Sequence, residues 1–330
     1  MRVRTVPIQP HCFLYGGFDI QMVRTNEILR SVGLDARPLD WWSRDESFDI
    51  LHVWGLNRQH YNLVRIAKDY GKKVVMTPLL PYLSPTTYLR HWAGLIEGRK
   101  RLDMDILRHV DVMLVVNQLQ AETAAKLYGF PRQSIAVIPT ILDPLFFDQT
   151  VVHHPLDDFQ NYVVCAGNIL PRKNQIRLAK AALQIGCPMI FVGNAMGGEE
   201  GYTAEFQHLV EANPSLKWYK WLSWEDIFRV MSNAKAIALP SFEECQPASG
   251  LEAVALQKPL LLANRSYAYQ EFYAGATLVD PKSVESIAAG LLRIMASPSQ
   301  YTPKRDLVND CRPDFVALKL RDIFERLVSL

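Results

Sequence analysis

The sequence predicts two α/β domains, each a doubly wound parallel sheet with helices on both faces. Three observations predict this class. The chain has 330 residues, which is more than one hydrophobic core usually serves. Short apolar, β-branched runs alternate with stretches of helical periodicity along the whole sequence. A polar, poorly periodic segment, 143–161, separates two such sets and is interpreted as the linker. We therefore expect one domain over 1–150 and another over 151–312, with a C-terminal helix, about 313–330, packed back onto the first.

The first half contains four predicted strands, at 49–54, 73–77, 112–117 and 135–139. Between the first two, Leu63, Ile66, Ala67 and Tyr70 form an apolar stripe at helical spacing. Another helix is predicted from about Gln120 to Tyr128, because Gly129 is a typical helix stop.

The second half repeats the pattern with five predicted strands, at 162–166, 189–192, 236–239, 260–263 and 277–279. Helical segments lie between them. Ser223 to Asp226 has the form of a capping box, and 283–295 carries one apolar face. Strands that alternate with helices in this way favour parallel sheets.

Composition excludes several classes. The chain has 36 basic and 34 acidic residues, so it lacks the basic excess of a nucleic-acid-binding protein. Its five scattered cysteines contain no C-x-x-C pair, which argues against a disulfide framework, against a structural zinc site and for a reducing compartment. We expect a cytoplasmic protein without a secretory leader or spanning helix, because no apolar stretch is long enough.

The most informative loop follows the predicted strand 236–239. A helix is expected near Ser249, and its free amides would suit a diphosphate. Glu244 and Glu252 are eight positions apart, so the loop could place one carboxylate near a sugar and the other near ribose hydroxyls. The alternative is a solvated loop glutamate and a glutamate that complements the helix dipole.

Two further loops follow strands or precede helices. Gly167 is followed by Arg172 and Lys173, which could neutralise a pyrophosphate leaving group; the alternative is a solvated basic helix start. Gly16-Gly17 before a helix permits a close approach of the backbone to a phosphate or a sugar, and is equally typical of a plain turn.

Taken in order, these motifs resemble the retaining glycosyltransferases of family four (glycosyl transferases group 1). The matching positions are Gly16-Gly17, His52-Val53-Trp54, Asn117, Ile138-Pro139 with Asp143-Pro144 and Phe147, Gly167 with Lys173, and Pro240-Ser241 with Glu244 and Glu252. They extend over nearly the whole chain.

The resemblance implies the GT-B fold, two Rossmann-like domains that face a central cleft. The N-terminal domain would bind the acceptor, a glycan or a lipid-linked molecule, and the C-terminal one the nucleotide-sugar donor. It further implies a metal-independent hexosyltransferase of polysaccharide or glycoconjugate biosynthesis that retains anomeric configuration. No cofactor is expected, because the nucleotide-diphosphate sugar is a substrate.

The resemblance assigns a role to each site residue. Lys173, with Arg172, would bind the donor diphosphate; Glu244 would contact the transferred sugar and Glu252 the ribose. Donor contacts are further expected from Gly17, Asn168, Ala248, Ser249, Gly250 and Leu251. The base is expected near 217–222, where Trp218, Tyr219 and Trp221 could contact it; core packing is favoured for at least two of the three.

The chain departs from the family pattern at three places. Asn168 stands where an arginine is usual, and we interpret Arg172 as its functional replacement. Cys245-Gln246-Pro247 stands where many members have Gly-Phe-Gly. Thr77-Pro78 stands where many have a histidine near the sugar.

Other classes remain as alternatives. Asp103-Met-Asp105 has the Asp-x-Asp form of metal-dependent glycosyltransferases, within a segment, 99–109, interpreted as an exposed helix. A dehydrogenase would need a G-x-G-x-x-G after an early strand, which is missing. A non-catalytic nucleotide-sugar or glycan binding protein of the same fold is a further alternative. The basic and aromatic segment 89–109 is typical both of a solvated helix and of peripheral contact with the inner face of the cytoplasmic membrane.

Overall fold

The computed structural model describes residues 1–12, 16–98, 100–148 and 158–329. The chain forms two compact units. Unit 1 comprises Met1–Ile141 and Asp310–Leu330, and unit 2 comprises Leu142–Asn309. Much of the expected linker, 149–157, lies outside the described residues, as does Arg99.

Unit 1 contains a six-stranded parallel sheet in the order β2-β1-β3-β4-β5-β6. Its strands are β1 Arg2–Val6, β2 Asp35–Pro38, β3 Ile50–Trp54, β4 Lys73–Thr77, β5 Val112–Val115 and β6 Ile135–Val137. Its helices before the crossing to unit 2 are α1 Gly17–Ser31, α2 Tyr61–Asp69, α3 Pro85–Ile96, α4 Arg101–Leu107 and α5 Gln118–Leu127. Buried residues of α2, α4 and α5 form the core on one face of the sheet.

Unit 2 contains a second six-stranded parallel sheet, in the order β12-β11-β10-β7-β8-β9. Its strands are β7 Val163–Ala166, β8 Met189–Val192, β9 Leu216–Tyr219, β10 Ala236–Leu239, β11 Leu260–Ala263 and β12 Thr277–Val279. Its helices are α6 Gln175–Gln184, α7 Glu200–Glu211, α8 Trp224–Asn233, α9 Ala248–Ala255 and α10 Val284–Ala296. The predicted fold class, two doubly wound α/β domains, is confirmed.

The last helix, α11 Pro313–Ser329, belongs to unit 1. It packs against α1 and the second face of the sheet, where its apolar stripe includes Val316, Leu320 and Phe324. Its buried side chains thus complete the core of the unit that the chain left at residue 141.

Three strands were not predicted: β1, β2 and β9. β2 is an edge strand that contains Asp35, Arg37 and Pro38, and β9 is the edge strand of the other sheet. Edge strands meet solvent on one side, so they can carry polar residues, and in β2 a proline, that a search for apolar runs passes over. β1 is an internal strand between β2 and β3, but Arg2 and Arg4 interrupt its apolar run.

The interpretation of 99–109 as an exposed helix is wrong in part. Asp103, Ile106 and Leu107 of α4 are buried. Because α4 packs on α2, its inner face contributes to the core of unit 1. Within the described parts of the chain, no helix combines the length and the apolar character that crossing a bilayer requires.

Candidate active site

The carboxyl ends of β7 and β10 meet at the topological switch point of unit 2. β7 is the first strand of the unit and lies between β10 and β8, so the chain runs outward to β8 and β9 on one side and to β11 and β12 on the other. In open parallel sheets, ligands bind beyond the carboxyl ends of strands at such a point. The loops after β7 and β10 are therefore the candidate site.

The loop after β7 turns sharply into α6. Gly167 has a φ of 153°, and a 3-10 turn over Pro171–Lys173 ends at Asn174, which is left-handed with a φ of 66°. The Asn174 side-chain amide is buried and donates to the carbonyls of Pro240 (3.1 Å) and Pro281 (2.7 Å). Asn174 therefore ties the end of this loop to the start of the loop after β10.

The two loops are also joined through Arg172. The backbone N–H of Phe242 donates to the Arg172 carbonyl at 2.7 Å. The Arg172 guanidinium donates in turn to the Glu243 carbonyl at 3.0 Å. These bonds hold the backbone just before Glu244 against the basic turn.

Lys173, Arg172 and Glu244 form one cluster at this point. Lys173 Nζ lies 2.5 Å from Glu244 Oε1, and Arg172 Nη1 lies 3.2 Å from Oε2. The Glu244 side chain is 7% exposed. Burial raises the pKa of this carboxyl, but the charges of Lys173 and Arg172 outweigh burial and hold the pKa below its usual value. The cluster thus combines a buried carboxylate with two cations that are 71 or more positions away in the chain.

The start of α9 lies beside the end of β7. The Ser249 hydroxyl donates to the Ala166 carbonyl at 2.9 Å. Pro247 caps α9 without a side-chain bond, and the amides of Gly250 and Leu251 both donate to its carbonyl, at 3.0 and 3.2 Å. Ligand contacts were expected from four backbone amides at this helix start. The bonds to the Pro247 carbonyl occupy two of them, and the amides of Ala248 and Ser249 remain for a ligand.

Gly250 has a packing role. A Cβ at this position would lie 3.1 Å from the ring of Tyr273 and 3.4 Å from Pro247. The absence of a side chain therefore serves close packing against Tyr273, and close approach of a phosphate is not needed to explain it.

Two further expected donor contacts lie in unit 2. Glu252 is the fifth residue of α9, in its second rather than its first turn, and is buried. Asn168 follows Gly167; its side-chain amide lies 3.1 Å from Met196 Sδ, and its carbonyl accepts from Gln175 at 2.8 Å. The Asn168 side chain is thus directed at the loop after β8.

The strands neighbouring the site are held by a contact that sequence analysis missed. Gly193 directly follows β8 and has a φ of 145°, and a Cβ there would lie 2.3 Å from the Gly167 carbonyl oxygen. Trp218 donates its indole N–H to the Gly193 carbonyl at 2.9 Å and packs on Phe206. The sequence signal for this contact is a glycine directly after each of two adjacent strands.

The aromatic residues expected near a base differ in exposure. Trp218 and Tyr219 are half-buried, whereas Trp221 is exposed. Lys220 lies over the Trp218 ring, with Nζ 5.0 Å from its centroid. Trp218 thus supports the loop after β8 through its packing and its indole bond.

Gly17 belongs to unit 1, where it is the first residue of α1. Asp19 is buried in the first turn and accepts a hydrogen bond from the Gly16 amide at 2.9 Å. His11 Nε2 lies 3.4 Å from the other oxygen of Asp19. The start of α1 thus carries a carboxylate of its own, which complements the helix dipole.

The histidine-containing strand end of unit 1 is internal. His52 is buried in β3, with Nε2 2.8 Å from the Thr77 hydroxyl and its ring against Phe324 of α11. Burial lowers the pKa of His52 to about 3, so the ring is neutral at physiological pH. Thr77, which stands where the family often has a histidine, is therefore the partner of a histidine from the adjacent strand.

The Asp-x-Asp motif is divided between two ion pairs. Asp103 is buried and lies 2.8 Å from Lys100, whereas Asp105 pairs with Arg108 at 2.8 Å. Within the described ranges, no group of three or more histidine, cysteine or acidic side chains is placed to hold a metal ion.

Family comparisons cover both units. The model described as "Glycosyltransferase Family 4" matches residues 18–144, and "Glycosyl transferases group 1" matches residues 147–308. The chain belongs to the group 1 glycosyltransferases. No curated protein sequence matches this glycosyltransferase.

Solved structures of similar fold cover the whole glycosyltransferase chain. A sucrose-phosphate synthase from Thermosynechococcus elongatus matches with a TM-score of 0.76 and 15% identity over 99% of both chains. Anabaena HepE, solved in complex with UDP-glucose, matches with a TM-score of 0.76 and 14% identity over 99% of this chain and 100% of that one. A glycosyltransferase from Rickettsia africae matches with a TM-score of 0.74 and 12% identity over 99% and 98%. At these identities the likeness shows the fold, which is GT-B.

Proposed function

We propose that this glycosyltransferase moves a hexose-type sugar from a nucleotide-diphosphate sugar to a glycan or lipid-linked acceptor, with retention of anomeric configuration and without a metal. The observation that carries the proposal is the cluster of Lys173, Arg172 and Glu244 at the switch point of unit 2. HepE, a protein of similar fold, was solved in complex with UDP-glucose, which supports a nucleotide sugar as the donor.

In the proposed reaction, an acceptor hydroxyl attacks the anomeric carbon while the bond from that carbon to the β-phosphate oxygen breaks. The acceptor proton passes to the departing phosphate oxygen. Negative charge grows on the diphosphate, and Lys173 and Arg172 would stabilise it together with the amides of Ala248 and Ser249. Because the leaving group receives the proton, the site needs no strong general base.

The assignment is tested by release of free nucleotide from a panel of nucleotide sugars, first ranked by the stabilisation they give the protein. We expect Lys173→Ala to lower turnover by about two orders of magnitude or more, because it removes charge stabilisation from the leaving group. Lys180→Ala is the matched control, since Lys180 is exposed on α6 and pairs with Glu205. Equal turnover by the wild type and Lys173→Ala would refute the site. Donor binding without nucleotide release would instead identify a non-catalytic binding protein.

We further propose that unit 1 contacts the inner face of the cytoplasmic membrane through α3. Leu89, Trp92 and Ile96 are 71%, 61% and 78% exposed, and their spacing places them on one side of the helix. The helix contains no acidic residue, and Arg90 on it is exposed. An apolar stripe beside a cation is suited to an anionic lipid surface, where a lipid-linked acceptor would be found.

The membrane contact is tested by sedimentation with vesicles of phosphatidylcholine and phosphatidylglycerol at low and high salt. We expect the wild type to bind and the triple variant Leu89→Ser, Trp92→Ser, Ile96→Ser to remain in the supernatant. Leu292→Ser is the control, because Leu292 is a similarly exposed apolar residue of unit 2. Absence of wild-type binding at both salt concentrations would remove this part of the proposal and leave glycosyl transfer untouched.

A further inference from the structure

Both oxygens of the Glu244 carboxylate are engaged by the cations that the proposed function assigns to the donor. Lys173 Nζ is 2.5 Å from one oxygen, and Arg172 Nη1 is 3.2 Å from the other. The proposed function also assigns Glu244 to the transferred sugar. While the carboxylate is bound in this way, Lys173 is neutralised and Glu244 is directed at Lys173, so neither residue is free for its role.

The pair joins a buried carboxylate to a largely enclosed ammonium group. Glu244 is ionised, because Lys173 and Arg172 hold the pKa of its carboxyl below the usual value in spite of burial. Lys173 is 14% exposed, and its Cε lies 3.5 Å from the position of a Cβ on Gly167. A lysine enclosed in this way needs a counter-ion, since an unpaired charge in the interior is strongly unfavourable.

The backbone around the pair does not have to move for the pair to separate. Phe242 donates to the Arg172 carbonyl, and Asn174 donates to the Pro240 carbonyl, at 2.7 and 3.1 Å. These bonds join the two loops independently of the Glu244 side chain. Rotation of that side chain would therefore leave Lys173 in place at the switch point.

We infer that Glu244 is an internal counter-ion that stands in for the donor diphosphate on Lys173 and is displaced when a diphosphate binds. Two anions beside the same half-buried lysine repel each other, so the diphosphate and the carboxylate compete for Lys173. Displacement turns Glu244 from a ligand of Lys173 into a group available to the sugar. The inference rests on the proposed function for the identity of the donor, and on the geometry of the cluster for the competition.

If Glu244 competes with the diphosphate, its substitution should strengthen anion binding, whereas substitution of an ordinary donor contact would weaken it. We expect Glu244→Gln to bind inorganic pyrophosphate and UDP about tenfold more tightly than the wild type, because the competing charge is gone. Glu243→Gln, which changes an exposed neighbour, should bind like the wild type. Lys173→Met should bind more weakly than either. Affinities are measured by isothermal titration calorimetry in a buffer free of phosphate and sulfate.

Thermal denaturation provides a second readout. Without an anion, Glu244→Gln should melt several degrees below the wild type, and pyrophosphate should raise its Tm more than it raises that of the wild type. The double variant Lys173→Met, Glu244→Gln lacks both charges, so it should recover part of the lost Tm and not respond to pyrophosphate.

Equal or weaker binding of pyrophosphate by Glu244→Gln would overturn the inference, and so would the absence of binding by both it and the wild type. Pyrophosphate contains no sugar, so these outcomes are independent of turnover. If Glu244→Gln binds more tightly but no nucleotide sugar is consumed by the wild type, the counter-ion role stands and the proposed function fails. If turnover follows the proposal but Glu244→Gln binds more weakly, Glu244 instead orients Lys173 towards the donor.

Discussion

Gly193 lies against the backbone of Gly167, so that a Cβ on Gly193 would be 2.3 Å from the Gly167 carbonyl oxygen and 2.9 Å from the Asn168 nitrogen. The contact joins the ends of β8 and β7 directly under the loop that carries Lys173. The neighbouring atoms are backbone, which cannot rotate away as a side chain could. The position of the basic turn therefore depends on a glycine in a loop that the proposed chemistry does not use.

We expect Gly193→Ala to lower the free energy of unfolding by about 1–3 kcal/mol, because the new methyl group must displace the β7 loop and because alanine is strained at a φ of 145°. Nucleotide release should fall as well, since the Lys173 side chain runs beside Gly167, with Cε 3.5 Å from the position that a Cβ on Gly167 would take. Chemical denaturation and turnover measure the two effects.

Gly197→Ala is the matched control in the same loop, because nothing lies within 4 Å of a Cβ there. It should leave both quantities close to those of the wild type. Wild-type stability of Gly193→Ala would show that the two strand ends are not in contact.

Asn174 stabilises the same loop in two ways, through its backbone conformation and through its side-chain hydrogen bonds. The two contributions can be measured separately. Its left-handed backbone favours glycine or asparagine, and its side chain satisfies the carbonyls of Pro240 and Pro281. We expect Asn174→Gly to cost about 1–3 kcal/mol of the free energy of unfolding through the lost hydrogen bonds. Asn174→Ala should cost roughly 1 kcal/mol more, because a Cβ is disfavoured in this conformation.

Denaturation midpoints of the two variants measure this order. If Asn174→Gly equals the wild type, the side-chain bonds between the loops contribute nothing. If alanine and glycine cost the same, the backbone conformation is not held at a positive φ.

The Asp-x-Asp motif provides a test of metal independence. We expect Asp103→Asn and Asp105→Asn to retain turnover, and excess EDTA to leave wild-type turnover unchanged, because each carboxylate is held by its own cation. Asp103→Asn should nevertheless reduce stability more than Asp105→Asn, since only Asp103 is buried. Loss of turnover in both variants and in EDTA would revive the metal-dependent alternative.

The fold was largely predictable because buried parallel strands are apolar on both faces. Runs such as 236–239 and 260–263 are fully buried and stand out in the sequence. β2, with Asp35 and Pro38, lies at an edge and lacks that signal. The pairing of a polar edge strand such as β2 is decided by its neighbour in the sheet, which a single sequence does not display.

The candidate site was predictable in its residue types and less so in its contacts. Residues after strand ends must meet at the carboxyl edge, so Lys173 and Glu244 were expected near one site. That they bind each other depends on the switch-point order of β7 and β10, which is a tertiary property. The packing of Gly250 on Tyr273 likewise depends on a segment 23 positions away in the chain, and nothing local in the sequence indicates it.

His52 makes the stability of the protein depend on pH. Burial lowers its pKa from 6.5 to about 3 in the folded protein, so the unfolded chain binds more protons between these values. The stabilising effect of the neutral ring is complete above about pH 6.5 and is lost as pH falls through the window. The expected slope from this residue approaches about 1.4 kcal/mol per pH unit. Urea denaturation at several pH values between 7 and 4.5 measures it.

For His52→Asn, the slope of the unfolding free energy against pH should be smaller than for the wild type, and the difference should correspond to nearly one proton. This holds whatever the stability of the variant at neutral pH. Thr77→Val removes the hydrogen bond to Nε2 but keeps the buried imidazole. Because burial is the cause of the lowered pKa, this variant should keep the wild-type slope. Identical slopes in His52→Asn and the wild type would show that the ring is hydrated in the folded state, and would contradict its burial against Phe324.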